Sequence, residues 1–153
     1  EFTRHLIHLR QSNRVLQRRK FLTGRAVREG SQVDVAWFRS DGTEMDSGHW
    51  HDGGRSMGVW LNGDLDEVGP RGEQLQGSTL LLCFNLSDEE LAWQLPGETW
   101  GQHWLCRVDT EHAQARTTAY QANGSITLAA RSVLVLEEYL SEPASSAASS
   151  SPA

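Results

Sequence analysis

Four of the six histidines stand in pairs whose spacing could begin a metal site. His5 and His8 are three residues apart in a helical pattern, and His49 and His51 lie on one side of an extended segment. A zinc site needs three or four ligands, and neither pair has a third or fourth ligand nearby in the sequence. We therefore interpret these histidines as solvated side chains and expect no metal and no other cofactor.

The acidic run 64–67, DLDE, follows a strand pattern and is a second place where a divalent cation could bind. It lacks the glycine turn and the terminal glutamate of a calcium-binding loop. Solvated loop charges are therefore the favoured interpretation of this run.

Motifs for a nucleophile or a nucleotide are also missing. No Gly-x-Ser-x-Gly motif follows a strand, and there is neither a Walker loop nor a Gly-x-Gly-x-x-Gly turn. Cys83 lies in the most apolar run of the chain, without an activating arrangement around it. Cys83 and Cys106 both fall in strand-like apolar runs, so we interpret them as small buried hydrophobic residues in a reducing compartment.

Six tryptophans are the most distinctive feature of the composition. Trp37, Trp60 and Trp104 fall in strand patterns, and we assign them to packing because an indole buries a large apolar area. Trp50 and Trp100 flank loops, and we predict that these two indoles bind substrate by stacking on the face of a sugar ring.

The composition is that of one globular domain, with 153 residues, 38% hydrophobic and 22% charged. Apolar runs are strand-sized, and none approaches the about 18 residues that span a bilayer. The net charge of −6 is uneven, because residues 1–28 carry eight Arg and Lys against one acid. The aromatics lie in the acidic remainder, which repels phosphate, so we expect no nucleic acid and no membrane as partner. We expect the basic segment to dock on an acidic surface instead.

The first segment predicts one amphipathic helix. Phe2, Leu6, Leu9 and Leu16 fall on one face at helical spacing, with Ile7 beside them. Such a face must be buried against something. Because the chain opens inside this pattern and without Met, we expect it to be part of a longer protein.

From residue 33 onward the hydrophobic period is two, which predicts strands. They are expected within residues 33–38, 57–61, 78–84, 90–97, 100–110 and 125–140, with Gly, Asn, Asp and Pro between them. The run 78–84 is almost continuously apolar, so we expect it to be buried on both faces. This pattern favours an all-β fold, an antiparallel β-sandwich.

Taken in order, these segments resemble one protein family. The stretches FTRHLIHLR, VLQRRKFLTGR, DVAWFRSDGTEM, RSMGVWLNGD, GPRGE, LLLCFN and AARSVLVLE are similar, in order and spacing, to the C-terminal end of bacterial glycogen debranching enzymes. These are isoamylase-type glycoside hydrolases of the α-amylase family. The resemblance covers about residues 2–137, and DVAWFRSDGTEM together with MGVWLNGD is specific to this family among amylase-type sandwiches.

The resemblance implies a division of the chain. Residues 1–28 would be the last helix of a (β/α)8 barrel with its connector, and residues 29–140 the amylase-type C-terminal β-sandwich. Residues 141–153 would be a disordered tail rich in Ser, Ala and Pro. The chain departs from the family at residues 12–14, Ser-Asn-Arg, where the family usually has His-Pro, so Asn13 must end the helix.

The resemblance also implies an activity for the parent protein, the hydrolysis of α-1,6 branches of glycogen or limit dextrin in the cytoplasm. Retaining glycosidases of this type need two carboxyl groups about 5–5.5 Å apart, and in a barrel these lie at strand ends. No residue of this chain matches those motifs, so we assign no catalytic residue. We expect the chain alone to be inactive and to give structural support to its own catalytic barrel.

Two further hypotheses are compatible with the sequence. A carbohydrate-binding module would hold glycogen or maltooligosaccharide through Trp50 and Trp100, and it requires two indoles exposed on one surface. Alternatively, the apolar face of Phe2, Leu6 and Leu9 could drive self-association of the chain when no barrel covers it.

Overall fold

The computed structural model describes residues 1–51, 53–112 and 118–139. It begins with the helix α1 (Phe2–Ser12), and short 3-10 helices follow at Arg14–Gln17, His49–His51 and Glu98–Trp100. The strands are β1 (Val35–Phe38), β2 (Ser56–Leu61), β3 (Asp64–Val68), β4 (Gln74–Gln76), β5 (Leu80–Asn85), β6 (Leu91–Gln94), β7 (His103–Asp109), β8 (Ala119–Gln121), β9 (Ser125–Leu128) and β10 (Ser132–Glu138). The predicted tail 141–153 lies outside the described residues. No helix in the described ranges is long and apolar enough to cross a membrane.

One antiparallel sheet of six strands organises the molecule, in the order β1-β2-β5-β10-β7-β8. The late strand β10 is inserted between β5 and β7, so the two most apolar strands lie at the centre of the sheet. Two shorter antiparallel pairs, β3-β4 and β6-β9, lie outside it. The predicted antiparallel β-sandwich is confirmed.

One face of the six-stranded sheet is covered by the β6-β9 pair, and we call the layer between them the inner core. Three tryptophans, Trp60, Trp93 and Trp104, are at most 2% exposed there. Trp60 donates its indole N–H to the carbonyl oxygen of Trp100 over 2.6 Å. Aromatic side chains of this size bury 150–250 Å² each in typical cores, so these three contribute a large part of the hydrophobic stabilisation.

The opposite face of the sheet, which we call the outer face, is also apolar. Val35, Leu61 and Leu80 are buried there. The layer that covers them is built from the 3-10 helix Arg14–Gln17 and from β3, through Val15 and Leu65. The N-terminal segment is therefore a structural layer of this domain.

A β-bulge at Arg107 places two residues of β7 that are two positions apart on opposite faces of the sheet. Leu136 of β10 pairs with Cys106, and the preceding Val135 pairs with Val108, so Arg107 is the extra residue. Cys106 packs into the inner core and Val108 onto the outer face, whereas strict alternation would place both on one side.

Most of the predicted strands are confirmed. In β1, Ala36 and Phe38 pack into the inner core while Val35 and Trp37 pack on the outer face, as the period of two requires. The apolar run 78–84 contains β5, which has a neighbouring strand on each side. Strands β3, β4 and β8 were not predicted, because they are short and rich in polar residues and belong to a two-stranded pair or to the sheet edge.

The two cysteines are buried, as predicted, and neither forms a disulfide. Both pack in the inner core. Burial raises the pKa of the Cys83 thiol far above its ordinary value, so the thiol stays protonated and unreactive in the folded chain.

We expect Gly58→Ala to destabilise the inner core by about 1–3 kcal/mol, the usual cost of overpacking. A methyl group at this position of β2 would lie 2.9 Å from Cζ2 of Trp93 and 3.1 Å from Cβ of Phe38. Urea unfolding would measure the loss. Gly54→Ala is the matched control, because only an atom of Ser56 at 4.0 Å lies near its added methyl group. Equal stability of the two variants would contradict this packing.

Candidate functional site

Trp50 is the exposed tryptophan of the described residues. It lies in the 3-10 helix His49–His51 and is 50% exposed. Its ring meets Trp37 edge-on, with centroids 5.1 Å apart and planes at 73°. Because Trp37 packs on the outer face, this contact fixes the position of the Trp50 indole. A pocket of about 240 Å³ lies beside Trp50, and its polar lining includes Arg39, Ser40 and Ser56.

Arg39, His49 and Asp46 form a hydrogen-bonded chain at the edge of this pocket. Nη1 of Arg39 lies 3.0 Å from Nε2 of His49. The amide nitrogen of Asp46 lies 3.1 Å from Nδ1 of the same ring, and Oδ1 of Asp46 lies 3.2 Å from it. His49 therefore lies between Arg39 and Asp46 at the edge of the pocket.

Trp100 lies on the other side of the sheet from Trp50. It is partly buried and meets Phe38 and Trp60 edge-on, with ring centroids 5.0 and 5.1 Å away. Both contacts belong to the inner core, whereas Trp50 contacts the outer face through Trp37. The two indoles predicted to stack on sugar therefore do not share a surface.

Other groups with potential for chemistry do not form a catalytic arrangement in the described ranges. The sequence Gly-Arg-Ser-Met-Gly at 54–58 leads from a loop into β2, so Ser56 is not at a strand-to-helix turn of the nucleophile-elbow type. Asp109, Glu111 and His112 bring ligand atoms within 4.8 Å of one another. Nδ1 of His112 lies 2.9 Å from Asp109, and the Glu111 amide donates to the same carboxylate, which explains this cluster as a turn.

The helix α1 lies on the outer face of the sheet through its C-terminal half. Leu9 is 6% exposed and packs against Val108 and Val135. Nε2 of His5 donates to the carbonyl oxygen of Arg107 over 2.7 Å, so the bulged residue is also a contact of the helix. Leu9, one residue of the apolar face, is therefore buried against this domain itself.

Three other apolar residues of α1 are uncovered. Phe2 and Leu6 are each 38% exposed and Ile7 is 52% exposed. Phe21 of the connector is 93% exposed, and no pattern in the sequence marked it as a surface residue. The N-terminal segment thus contacts its own domain with one side and presents large apolar side chains on another.

Asn13 ends α1, as predicted, and also fastens the helix to the sheet. Its side chain is buried, accepts from the Val15 amide over 3.0 Å and donates to the Ser78 carbonyl oxygen over 3.3 Å. A methyl group on Gly77 would lie 2.8 Å from Cγ2 of Val15. The closeness of this contact explains why glycine stands at that position.

The connector is held by a buried carboxylate, that of Asp34. Its oxygens accept from the amides of Thr23 and Gly24, both over 2.8 Å. Nη2 of Arg18 lies 3.8 Å away, and the side chains of Arg18 and Asp34 are 7% and 6% exposed. The expected docking of the basic segment on acidic groups is therefore present within the domain.

The acidic run 64–67 also contacts the connector, and its assignment to a loop is wrong, although the acid groups themselves are at least partly exposed. It lies in β3, where Leu65 is 1% exposed and packs beneath the connector. Nζ of Lys20 lies 3.0 Å from Oδ2 of Asp66, and the amide of Arg19 donates to Glu67 over 3.0 Å. The sequence did not reveal this because the partners lie more than forty residues apart along the chain.

An open cleft of about 980 Å³ separates the end of α1 and the connector from the β3-β4 pair. Gln11, Gln17 and Arg14 line one side, and Leu65 and Leu75 line the other. None of its lining residues is aromatic, so it offers no ring on which a sugar could stack. The Trp50 pocket is the better candidate for carbohydrate.

We expect Asp34→Ala to lower the free energy of unfolding by about 3 kcal/mol, because the amides of Thr23 and Gly24 and the buried Arg18 guanidinium would lose their acceptor. Asp66→Ala is the control, since the Lys20–Asp66 pair is exposed and such pairs contribute about 0–1 kcal/mol. Denaturant unfolding of both variants measures the difference. Equal small losses would mean that Asp34 does not anchor the connector.

Comparison with known proteins identifies the family of this domain. Residues 34–137, more than half of the chain, match the family model described as isoamylase, C-terminal. The glycogen operon protein GlgX homologs of Mycobacterium bovis and Mycobacterium tuberculosis are each 33% identical over 143 residues. Each alignment covers 91% of this chain and 20% of the relative, so the chain spans about a fifth of the length of these curated proteins. With its antiparallel sheets and this match, the chain belongs to the isoamylase C-terminal domain family.

Proposed function

We propose that this chain is the C-terminal accessory domain of a cytoplasmic enzyme that hydrolyses α-1,6 branches of glycogen or limit dextrin. Its role is to support the catalytic barrel of that enzyme. The observation that carries the proposal is the uncovered apolar side of α1, formed by Phe2, Leu6 and Ile7, on a domain that spans a fifth of its relatives.

The uncovered side of α1 has the chemistry of a surface that is buried in a larger protein. Large apolar side chains at spacings of four and five residues are costly in water, and contiguous exposed patches mark interaction sites. Phe21 adds a further, 93% exposed ring on the connector. We propose that the barrel covers these side chains and that the domain boundary at residues 28 and 29 follows the end of the connector.

In this proposal the barrel carries out the hydrolysis and this domain has no catalytic role. Hydrolysis with retention needs two carboxyl groups about 5–5.5 Å apart. Asp34 and Glu67 accept hydrogen bonds from connector amides. Their role is to fasten the connector, and we assign no catalytic residue.

A second candidate function is contact with the α-glucan itself. The exposure of Trp50 favours it, since an indole half in water with a fixed position can stack on a sugar ring. In this proposal Trp50 alone contacts the sugar, because Trp100 packs against Phe38 and Trp60 in the inner core. The domain would then bind glycogen or maltooligosaccharide weakly while the barrel cleaves it.

We expect the double change Leu6→Glu and Ile7→Glu to affect the full-length parent and not this chain alone. Both side chains are uncovered here, so the free energy of unfolding of the isolated chain should change by less than about 0.5 kcal/mol. In the parent, charges would be buried against the barrel, and Tm should fall by at least about 2 °C. Differential scanning calorimetry of both proteins measures this.

The control for this change is Leu86→Glu, which alters a 63% exposed residue after β5. An unchanged Tm of the parent with both α1 charges would contradict the docking of the barrel on this side. If two copies of the isolated chain instead cover it, sedimentation will show a mass that rises with concentration and is lost on Leu6→Glu.

We expect the 153-residue chain to release no reducing ends from glycogen β-limit dextrin, and the full-length parent to release them. The reason is that the chain has no paired carboxyl groups assigned to bond cleavage. A reducing-sugar assay with equal molar amounts measures both. Branch cleavage by the isolated chain, undiminished after further purification, would contradict the assignment of chemistry to the barrel.

A further inference from the structure

We propose that the Trp50 pocket is a one-ring subsite for a glucosyl unit of an α-glucan chain. The inference rests on the proposed function, because that function names glucan as the polymer the parent meets. It goes further by assigning the contact to one pocket, formed where β1 ends and β2 begins, and by limiting it to a single ring.

The position of the indole suits a ring ligand. Trp50 is 50% exposed, and its partner Trp37 packs on the outer face of the sheet. The edge-on contact at 5.1 Å therefore holds the Trp50 ring before any ligand arrives. Aromatic rings held in this way bind flat apolar surfaces at little entropic cost. The C–H face of a glucose ring is such a surface.

The polar groups around the pocket match the hydroxyl groups of a sugar. Hydroxyl groups donate and accept, and the pocket offers a guanidinium from Arg39 together with the side chains of Ser40 and Ser56. The contacts of His49 with Arg39 and with Asp46 keep the guanidinium at the pocket edge. Met45 and Met57 supply adaptable apolar wall.

The size of the pocket limits what it can hold. Its volume of about 240 Å³ is below the about 300–1,000 Å³ of sites that enclose a drug-sized ligand. One sugar ring fits this space, and a helical stretch of polysaccharide does not. Affinity at one such pocket is therefore weak, with Kd on the order of 1 mM.

An indole could also stack on the base of a nucleotide. The charge around the pocket favours a neutral sugar over a nucleotide, which carries phosphate. Between residues 39 and 57 the sequence has four acids and two arginines. Hydrogen bonds from the Thr43 hydroxyl and amide lower the pKa of Asp41, so this acid beside Arg39 stays ionised. A phosphate group would be repelled here, whereas the neutral hydroxyl groups of glucose would not.

The test follows the indole N–H signals of the 153-residue chain by NMR while maltose is added. We expect the Trp50 signal to move and to saturate with Kd on the order of 1 mM, while the signals of buried Trp93 and Trp104 stay in place. Trp50→Ala should weaken maltose binding at least about tenfold, the order seen when a stacking aromatic is removed from a nucleic-acid site. Arg39→Gln should weaken binding while the Trp50 signal remains to report it.

Two controls make the outcome decisive. Leu86→Ala, an exposed apolar change outside the pocket lining, should bind maltose as the unchanged chain does. An unmoved Trp50 signal, or equal shifts with adenosine monophosphate, would overturn the proposal. The titration needs no hydrolysis, so its failure is distinct from failure of the proposed function, which would be a full-length parent without branch-cleaving activity.

Discussion

Both faces of the six-stranded sheet are apolar, and exposure of either face to water would destabilise the fold. On the inner side the β6-β9 pair closes over Trp60, Trp93 and Trp104. On the outer side the described residues form no second sheet of similar size, and the cover is assembled from α1, the 3-10 helix Arg14–Gln17 and β3. A sheet with two apolar faces needs two covering layers. The structural importance of the N-terminal segment follows from this requirement.

The N-terminal segment has two roles that are visible in its burial. Leu9, Asn13 and Val15 are buried against the domain, while Phe2 and Ile7 are exposed. The first set ties the helix to the sheet, and the polar contacts of Asp34 extend this tie along the connector. The second set gives the domain an apolar side whose cover, in the proposed function, is the barrel. In the proposed function, one segment therefore contacts both the sandwich and the barrel and fixes the position of one relative to the other.

The local patterns of the sequence predicted much of this fold. The alternation within residues 35–38 matches the two faces of β1, whereas Val33 packs against the inner core, and the continuous apolar run at 78–84 correctly indicated a strand buried on both sides. The end of α1 at Asn13 also followed from local chemistry. The family was recognised from specific motifs, and the match over residues 34–137 agrees with it.

Contacts between distant residues were not predictable in this way. The acids of β3 were interpreted as loop charges, because no pattern near residue 66 in the sequence indicates that Lys20 is its partner. The bulge at Arg107, which turns Val108 toward Leu9, interrupts a sequence pattern of unbroken alternation. The candidate site was predicted in part: Trp50 was selected from its place beside a loop, but Trp100 lies over the opposite face of the sheet. No sequence pattern predicted Arg39 or Asp46 as part of the site, and both are placed there by their contacts with His49.

The central claim is that α1 is held by this domain in the absence of any barrel. Native-state hydrogen exchange on the isolated chain tests it most directly, because an 11-residue helix without packing is marginal in water and exchanges rapidly. The account predicts that the α1 amides bonded within the helix, such as that of Asn13 to the Leu9 carbonyl, exchange at least about 100-fold more slowly than in an unstructured peptide. Exchange of α1 at free-peptide rates, while β5 and β10 stay protected, would contradict it.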